Sequence, residues 1–155
     1  MEQIEFANLP KEEKELLQAA TEAGARYFNK KGTRHVGAAL LGENGIIYSG
    51  TSVRRTNTSN STCAERMALD RAILEGCFDY KLLAIVGFCD GEDSCEIISP
   101  CGLCRQILSE AEGYGKARKS IPIIISNNDF SMVVKSDSQK LFPLAYEAKV
   151  YTDKK

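Results

Sequence analysis

The chain is predicted to be an α/β protein of three layers, α/β/α, with a mixed central sheet and helices on both faces. Apolar runs of strand length alternate along the sequence with segments whose apolar residues recur every three to four positions, and that interleaving packs helices against a sheet. An Asn-Gly step between two of the strand runs adds an antiparallel hairpin. Composition supplies the third observation: 155 residues with 43% hydrophobic side chains are enough to bury one core, so residues 1–155 are expected to form a single domain.

Residues 10 to about 29 read as the first helix. Pro10 suits a first turn, acidic residues follow it, and Leu16, Leu17, Ala20, Ala23, Tyr27 and Phe28 fall at helical spacing. The Tyr27-Phe28 pair belongs on its core side, and Lys30-Lys31-Gly32 closes it. Residues 36–41 and 46 to about 53 are the two hairpin strands around Gly42-Glu43-Asn44-Gly45. Helical spacing returns over 63–75, with Ala64, Met67, Ala68, Ala72 and Ile73 on one side, Gly76 as a stop and Thr62 with Glu65 as a capping box. Residues 81–88 are a strand and 89–100 a polar loop, and a helix over 102 to about 111 starts directly after Pro100-Cys101. The branched, apolar 121–126 is a strand, Asn127-Asn128-Asp129 turns, and 130–135 is a further strand. Residues 139 to about 149 are irregular or helical and interrupted by Pro143. No internal repeat, linker or low-complexity tract is visible.

Twenty basic against 21 acidic side chains give a net charge of −1, without the cationic excess that general phosphate binding needs, so no polynucleotide partner is expected. The acidic start, Met1-Glu2-Gln3-Ile4-Glu5, lacks the basic and apolar regions of a secretory signal, and no apolar run nears the ~20 residues of a membrane span. A cytoplasmic protein without a membrane partner is expected. In a reducing compartment the six cysteines argue poorly for three disulfides, and one histidine means that any metal site must be thiolate-rich.

Two pieces carry the chemistry, Cys63-Ala64-Glu65 and Pro100-Cys101-Gly102-Leu103-Cys104. Both sit where a helix begins, and the unpaired N–H groups and positive dipole end of a helix start favour thiolate, the form that binds metal. One helix, one strand and one loop separate the pieces, a crossover that lets two adjacent helix starts deliver three thiolates to one point. Three ligands leave zinc an open position at which water is acidified. Glu65 stands close enough to shuttle protons without being a ligand. Arg66, next in sequence, can donate hydrogen bonds to sulfur and offset its excess negative charge.

Other readings of these residues stand beside that one. Cys95 could close a structural four-cysteine cluster, and Cys101 with Cys104 could form a redox pair, although a redox pair uses neither a third thiol nor an adjacent Glu. Cys77, Cys89 and Cys95 are otherwise packing or idle thiols, His35 is a strand-edge side chain, and Lys116-Ala117-Arg118-Lys119 is a solvated loop.

Cys63-Ala64-Glu65-Arg66 and Ser99-Pro100-Cys101-Gly102-Leu103-Cys104-Arg105-Gln106 resemble the zinc-dependent cytidine deaminases, in particular their short, three-cysteine, homotetrameric branch. Val36-Gly37-Ala38-Ala39-Leu40 resembles the family's first strand and Lys140-Leu141-Phe142-Pro143-Leu144 its C-terminal segment. The resemblance implies a cytidine deaminase-like fold and Zn2+ held by Cys63, Cys101 and Cys104. It implies Glu65 as proton shuttle in the hydrolytic removal of an exocyclic amine, a small-molecule cytosine-type substrate, a homotetramer and a place in pyrimidine salvage. Ala64 and Tyr146 carry over to the substrate side, Tyr146 as an aromatic residue reaching a neighbouring subunit's pocket.

At one point the chain departs from the family. Its Asn-x-Glu, which holds the ribose hydroxyls, is replaced by Ser52 and Arg54, followed by Arg55, and the aromatic residue ahead of Val-Gly-Ala is replaced by Arg34 and His35. Guanidinium groups grip phosphate or carboxylate in a fork, so Arg34, Arg54 and Arg55 suggest an anionic or modified cytosine substrate such as cytidine monophosphate or a blasticidin S-like antibiotic. Arg54 and Arg55 could equally be solvated loop charges. The rival functions are a deaminase acting within nucleic acid, which would need a basic channel and stacking aromatics, and a zinc-binding ligand sensor without catalysis.

Overall fold

A computed structural model describes residues 2–27, 34–90 and 96–146. Its elements run β1 (Glu2–Ile4), α1 (Lys11–Ala25), β2 (Arg34–Gly42), β3 (Ile47–Thr51), α2 (Ala64–Leu74), β4 (Tyr80–Cys89), α3 (Gly102–Ala111), β5 (Pro122–Asn127), β6 (Val133–Asp137) and α4 (Ser138–Leu141). Short 3₁₀ turns occupy Phe6–Asn8 and Thr58–Asn60. All six strands join one mixed sheet in the order β1-β6-β5-β4-β2-β3, in which only β4 and β5 pair in parallel.

The predicted layers are present because the strands alternate side chains between two faces. Ala38, Leu40, Leu83, Ile85, Ile123 and Ile125 point to the side covered by α2 and α3, where they meet Ala64, Ala68, Leu69, Ala72 and Leu108. Ala39, Leu41, Ala84, Val86, Ile124 and Val133 point the other way, onto Leu16, Leu17 and Ala20 of α1. The Asn44-Gly45 hairpin forms as predicted, with Gly45 at φ 79° and β2 antiparallel to β3.

Some local expectations change. β1 was not predicted; it is a three-residue edge strand held antiparallel to β6. The capping box does not form, for Cys63 rather than Thr62 is the N-cap of α2 and no side chain caps it. Thr62 is committed elsewhere, its backbone bridging Val53 and its hydroxyl accepting from Arg55 Nη1 at 3.1 Å. The last predicted strand sits three residues further on, at β6, because 127–132 is a turn in which Asn127 Oδ1 accepts from Met132 N. α1 ends at Ala25, and Tyr27 follows it. Phe28, Lys30-Lys31-Gly32, Cys95 and residues 147–149 lie outside the described residues.

Candidate active site

Pairing β2 antiparallel to both β3 and β4, with β4 parallel to β5, makes β3, β4 and β5 run the same way. α2 follows β3 and α3 follows β4, so both helices begin at the carboxyl edge of the sheet, where open α/β sheets bind ligands. Gly50 lets α2 lie close, since a Cβ there would meet the backbone of Ala64 and Ala68.

Cys63 is the N-cap of α2, Cys101 the N-cap of α3, and Cys104 lies in the first turn of α3. Their three sulfurs lie within 4.8 Å of one another, Cys63 to Cys101 at 3.7 Å. A tetrahedral zinc with bonds of about 2.3 Å holds sulfurs roughly 3.8 Å apart, so this donor set fits that metal in size and in softness. A hydrogen bond from Cys104 is the largest influence on Cys63; burial opposes it, Cys101 and the charge of Arg66 reinforce it, and the thiol is lowered to about 6. Cys104 is raised because it shares that hydrogen bond with Cys63 and is buried. A thiol lowered in this way favours the thiolate, the state that a metal requires.

Glu65 stands in the first turn of α2 and is 5% exposed. Burial pushes its carboxyl up to about 7, a backbone hydrogen bond pulls the other way, and the Cys63 charge adds to the rise. Arg66 Nη2 donates to Ser61 O at 2.8 Å, which holds its charge beside Cys63.

A cleft of about 260 Å³ opens over these groups. Of the residues predicted for the site, Arg34, Ser52, Arg54, Cys63, Ala64, Glu65 and Cys101 line it. Cys104 is buried behind, completing the sulfur cluster. Ser52 is tied to the sheet, its Oγ accepting from Val36 N at 3.0 Å. Arg55 is placed outside the lining, its guanidinium donating to Asn60 O at 2.7 Å as well as to Thr62. Tyr146 is also outside it, 75% exposed, and its carbonyl accepts from Gln106 Nε2 at 2.8 Å.

Sequence reasoning did not single out Arg105 or the Tyr27 side of the cleft. Arg105 donates from Nε to Pro100 O at 2.8 Å and from Nη2 to Ser99 Oγ at 3.0 Å, bracing the turn that presents Cys101. Its place one residue after Cys104 was the available signal. His35 is no exposed strand edge; it is buried, stacked on Tyr27 and Phe88, and lines the cleft. Cys89 is disulfide-bonded rather than an idle thiol, whereas Cys77 is a buried packing thiol as expected.

Comparison with known proteins gives the family. Residues 10–116, which contain the three cysteines and Glu65, match the cytidine and deoxycytidylate deaminase zinc-binding region. The chain is 38% identical over 92 residues to a cytidine deaminase of Sporosarcina psychrophila, covering 59% of this chain and 60% of that protein. It is 29% identical over 142 residues to a blasticidin-S deaminase of Bacillus cereus, covering 90% and 95% respectively. The crystal structure of cytidine deaminase from Burkholderia pseudomallei superposes with a TM-score of 0.72 at 27% identity, covering 86% of this chain and 98% of that one. With a zinc-binding region matched across the cysteine cluster and a fold shared over most of its length, the chain belongs to the cytidine and deoxycytidylate deaminase family of zinc proteins.

Proposed function

We propose that the chain is a zinc-dependent hydrolase that converts a cytosine nucleoside or related cytosine compound to its uracil counterpart and releases ammonia. The observation that carries this reading is the buried Glu65, with a carboxyl near neutrality, in the same cleft as three sulfurs spaced for zinc. Cys63, Cys101 and Cys104 hold the metal, with Arg66 tempering their charge. When bound, zinc acts as a Lewis acid that activates water.

Glu65 manages the protons. A carboxyl poised near pH 7 can both accept and donate in one turnover. Its carboxylate takes one proton of the attacking water and delivers it to the ring nitrogen beside the amine-bearing carbon, then takes the second proton from the newly added hydroxyl and passes it to the departing amine. A C–O bond forms, the C–N bond breaks, and ammonia leaves. Ala64 lines the cleft beside Glu65, where its lack of bulk leaves room for a planar base.

A second reading of the substrate has its own support. Arg34 and Arg54 both line the cleft, and Glu65 is the only acid that does so among the described residues. Cationic groups at the mouth suit a cytosine compound bearing a carboxylate or phosphate. The blasticidin-S deaminase that aligns over nearly the whole chain points the same way. A ligand sensor would keep the sulfur cluster but has no use for a buried acid in the cleft.

The reading takes residues 1–155 as one catalytic domain, working in the cytoplasm as a homotetramer in which Tyr146 reaches a neighbouring subunit. Its support is the family resemblance together with the exposure of Leu144 and Tyr146. None of the helices among the described residues is long and apolar enough to cross a membrane.

Ammonia release by the zinc-loaded protein from cytidine, cytidine monophosphate and blasticidin S decides the matter. Turnover of at least one is expected, preference for an acidic member selects the second substrate reading, and inactivity on all three refutes the enzyme. Glu65→Gln should retain zinc and lose turnover; parallel loss of both would make Glu65 structural.

A further inference from the structure

We propose that Ile98 is a specificity-determining residue, a fixed apolar wall that sets the room left for the base, and that Gly87 is the positioning residue that seats it. The proposal rests on the deaminase reading and adds to it two residues outside the metal and proton-shuttle machinery.

The wall begins with the sheet. Gly87 stands two residues before the end of β4, directly opposite Val36 of β2. It shares a face of the strand with Leu83 and Ile85, the face covered by α2 and α3, and Val36 packs against that same core. A Cβ added at Gly87 would come within 2.8–2.9 Å of Cβ, Cγ1 and Cδ1 of Ile98. The Ile98 side chain therefore fills, along its length, the space that a side chain at position 87 would take. A contact that reaches back to Cβ cannot be relieved by turning one terminal methyl group.

The segment that carries Ile98 is held on both sides. Ile97 packs against the core before it, and after it Arg105 donates to Ser99 Oγ and Pro100 O. Branching at Cβ restricts Ile98 further at χ1. Ile98 is half-buried and lines the cleft together with Cys63, Glu65 and Cys101.

Its place in the chain selects the part of the substrate that it meets. Ile98 precedes Cys101 by three residues, a span of at most about 10 Å. The carbon that loses its amine must lie at the sulfur cluster and Glu65, so the ring enters the end of the cleft that Ile98 borders. A branched aliphatic wall gives a flat ring apolar contact, and a close-packed one yields little to added bulk. The substrate class is a cytosine compound whose ring carries no further substituent.

The test compares cytidine with 5-methylcytidine on the zinc-loaded wild type, Ile98→Ala, Gly87→Ala and the double variant, with bound zinc measured on each. One methyl group against an apolar pocket wall is worth about 10–200-fold in kcat/KM, so the wild type should prefer cytidine by roughly tenfold or more. Ile98→Ala should keep its zinc and narrow that preference to within about threefold. Gly87→Ala should push Ile98 into the cleft and lower kcat/KM for cytidine roughly tenfold, chiefly by raising KM. Adding Ile98→Ala to Gly87→Ala should restore most of that loss, since the new methyl takes the place that Ile98 leaves. A ratio of two substrates cancels any loss of active protein, so Ile98→Ala tests the proposal even if Gly87→Ala fails to fold.

No preference in the wild type, an unchanged preference in Ile98→Ala, or loss of zinc from that variant overturns Ile98 as the wall, and a double variant no better than Gly87→Ala overturns the role of Gly87. Each of those results leaves the deaminase reading intact. Absence of wild-type turnover on every cytosine compound overturns both.

Discussion

Replacing Glu65 by Gln should make the zinc-free protein more stable than the wild type, and by an amount that grows with pH. Burial raises the Glu65 carboxyl from 4.5 to about 7. Between those values the folded protein holds a proton that the unfolded chain has released, so wild-type stability is greatest below pH 4.5 and declines as pH rises toward 7. Above the window the cost of the buried carboxylate levels off at about 3 kcal/mol, from 1.36 kcal/mol for each pK interval. Gln has no proton to lose and avoids that cost. The assay is urea denaturation of both proteins, stripped of zinc and kept reduced, at about pH 5, 6, 7 and 8. The lowered Cys63 thiol drives stability in the opposite direction, but it is common to both proteins and largely cancels in the difference. Glu65→Gln should gain about 2 to 3 kcal/mol on the wild type across the series, most of it between pH 5 and 7. A gap that stays constant, or narrows, as pH rises would show that Glu65 is not held protonated by its surroundings, and the proton-shuttle argument would lose its physical basis.

Three further outcomes follow from the geometry. Gly50→Ala places a methyl against the backbone of Ala64 and Ala68, so α2 must move off β3; thermal melting should show a loss of about 3 kcal/mol, roughly 6–12 °C in Tm. Arg105→Ala removes the bonds to Pro100 O and Ser99 Oγ that brace the Cys101 turn, and a chelator should then extract zinc roughly 10–100-fold more readily than from wild type, with unchanged extraction counting against that role. Removing zinc from the wild type should abolish deamination and lower Tm, and re-adding zinc should restore both; at a zinc concentration of 100 times Kd the stabilisation is about 2.7 kcal/mol.

How much of this molecule could be read from its sequence depends on how far apart in the chain the cooperating residues lie. α3 was legible to the residue because Pro100, Cys101 and the apolar spacing after them act within a few positions. The same holds for the metal cluster and Glu65, whose placement needs only two helix starts and the crossover between them. Local signals failed where a distant partner took over. β1 has no periodicity in three residues and exists because β6 offers it an edge. Thr62 has the right neighbours for a capping box, yet its hydroxyl serves Arg55 and its backbone serves Val53. For Arg55 the sequence leaves a ligand-binding charge and a loop charge equally open, and those same contacts tie it to the loop over 60–62.

The division has a functional counterpart. The groups that would carry out the reaction sit in two short motifs, each at the start of one helix. The residues that line the rest of the cleft come from separate elements: Tyr27 after α1, Arg34 and His35 on β2, and Arg54 after β3. Their alignment depends on the β2–β4 register, in which a shift of one residue would turn His35 to the opposite face of the sheet. With the chemistry held at two helix starts, single changes in this outer wall, at Ser52 or Arg54, would leave the sulfurs and Glu65 in place.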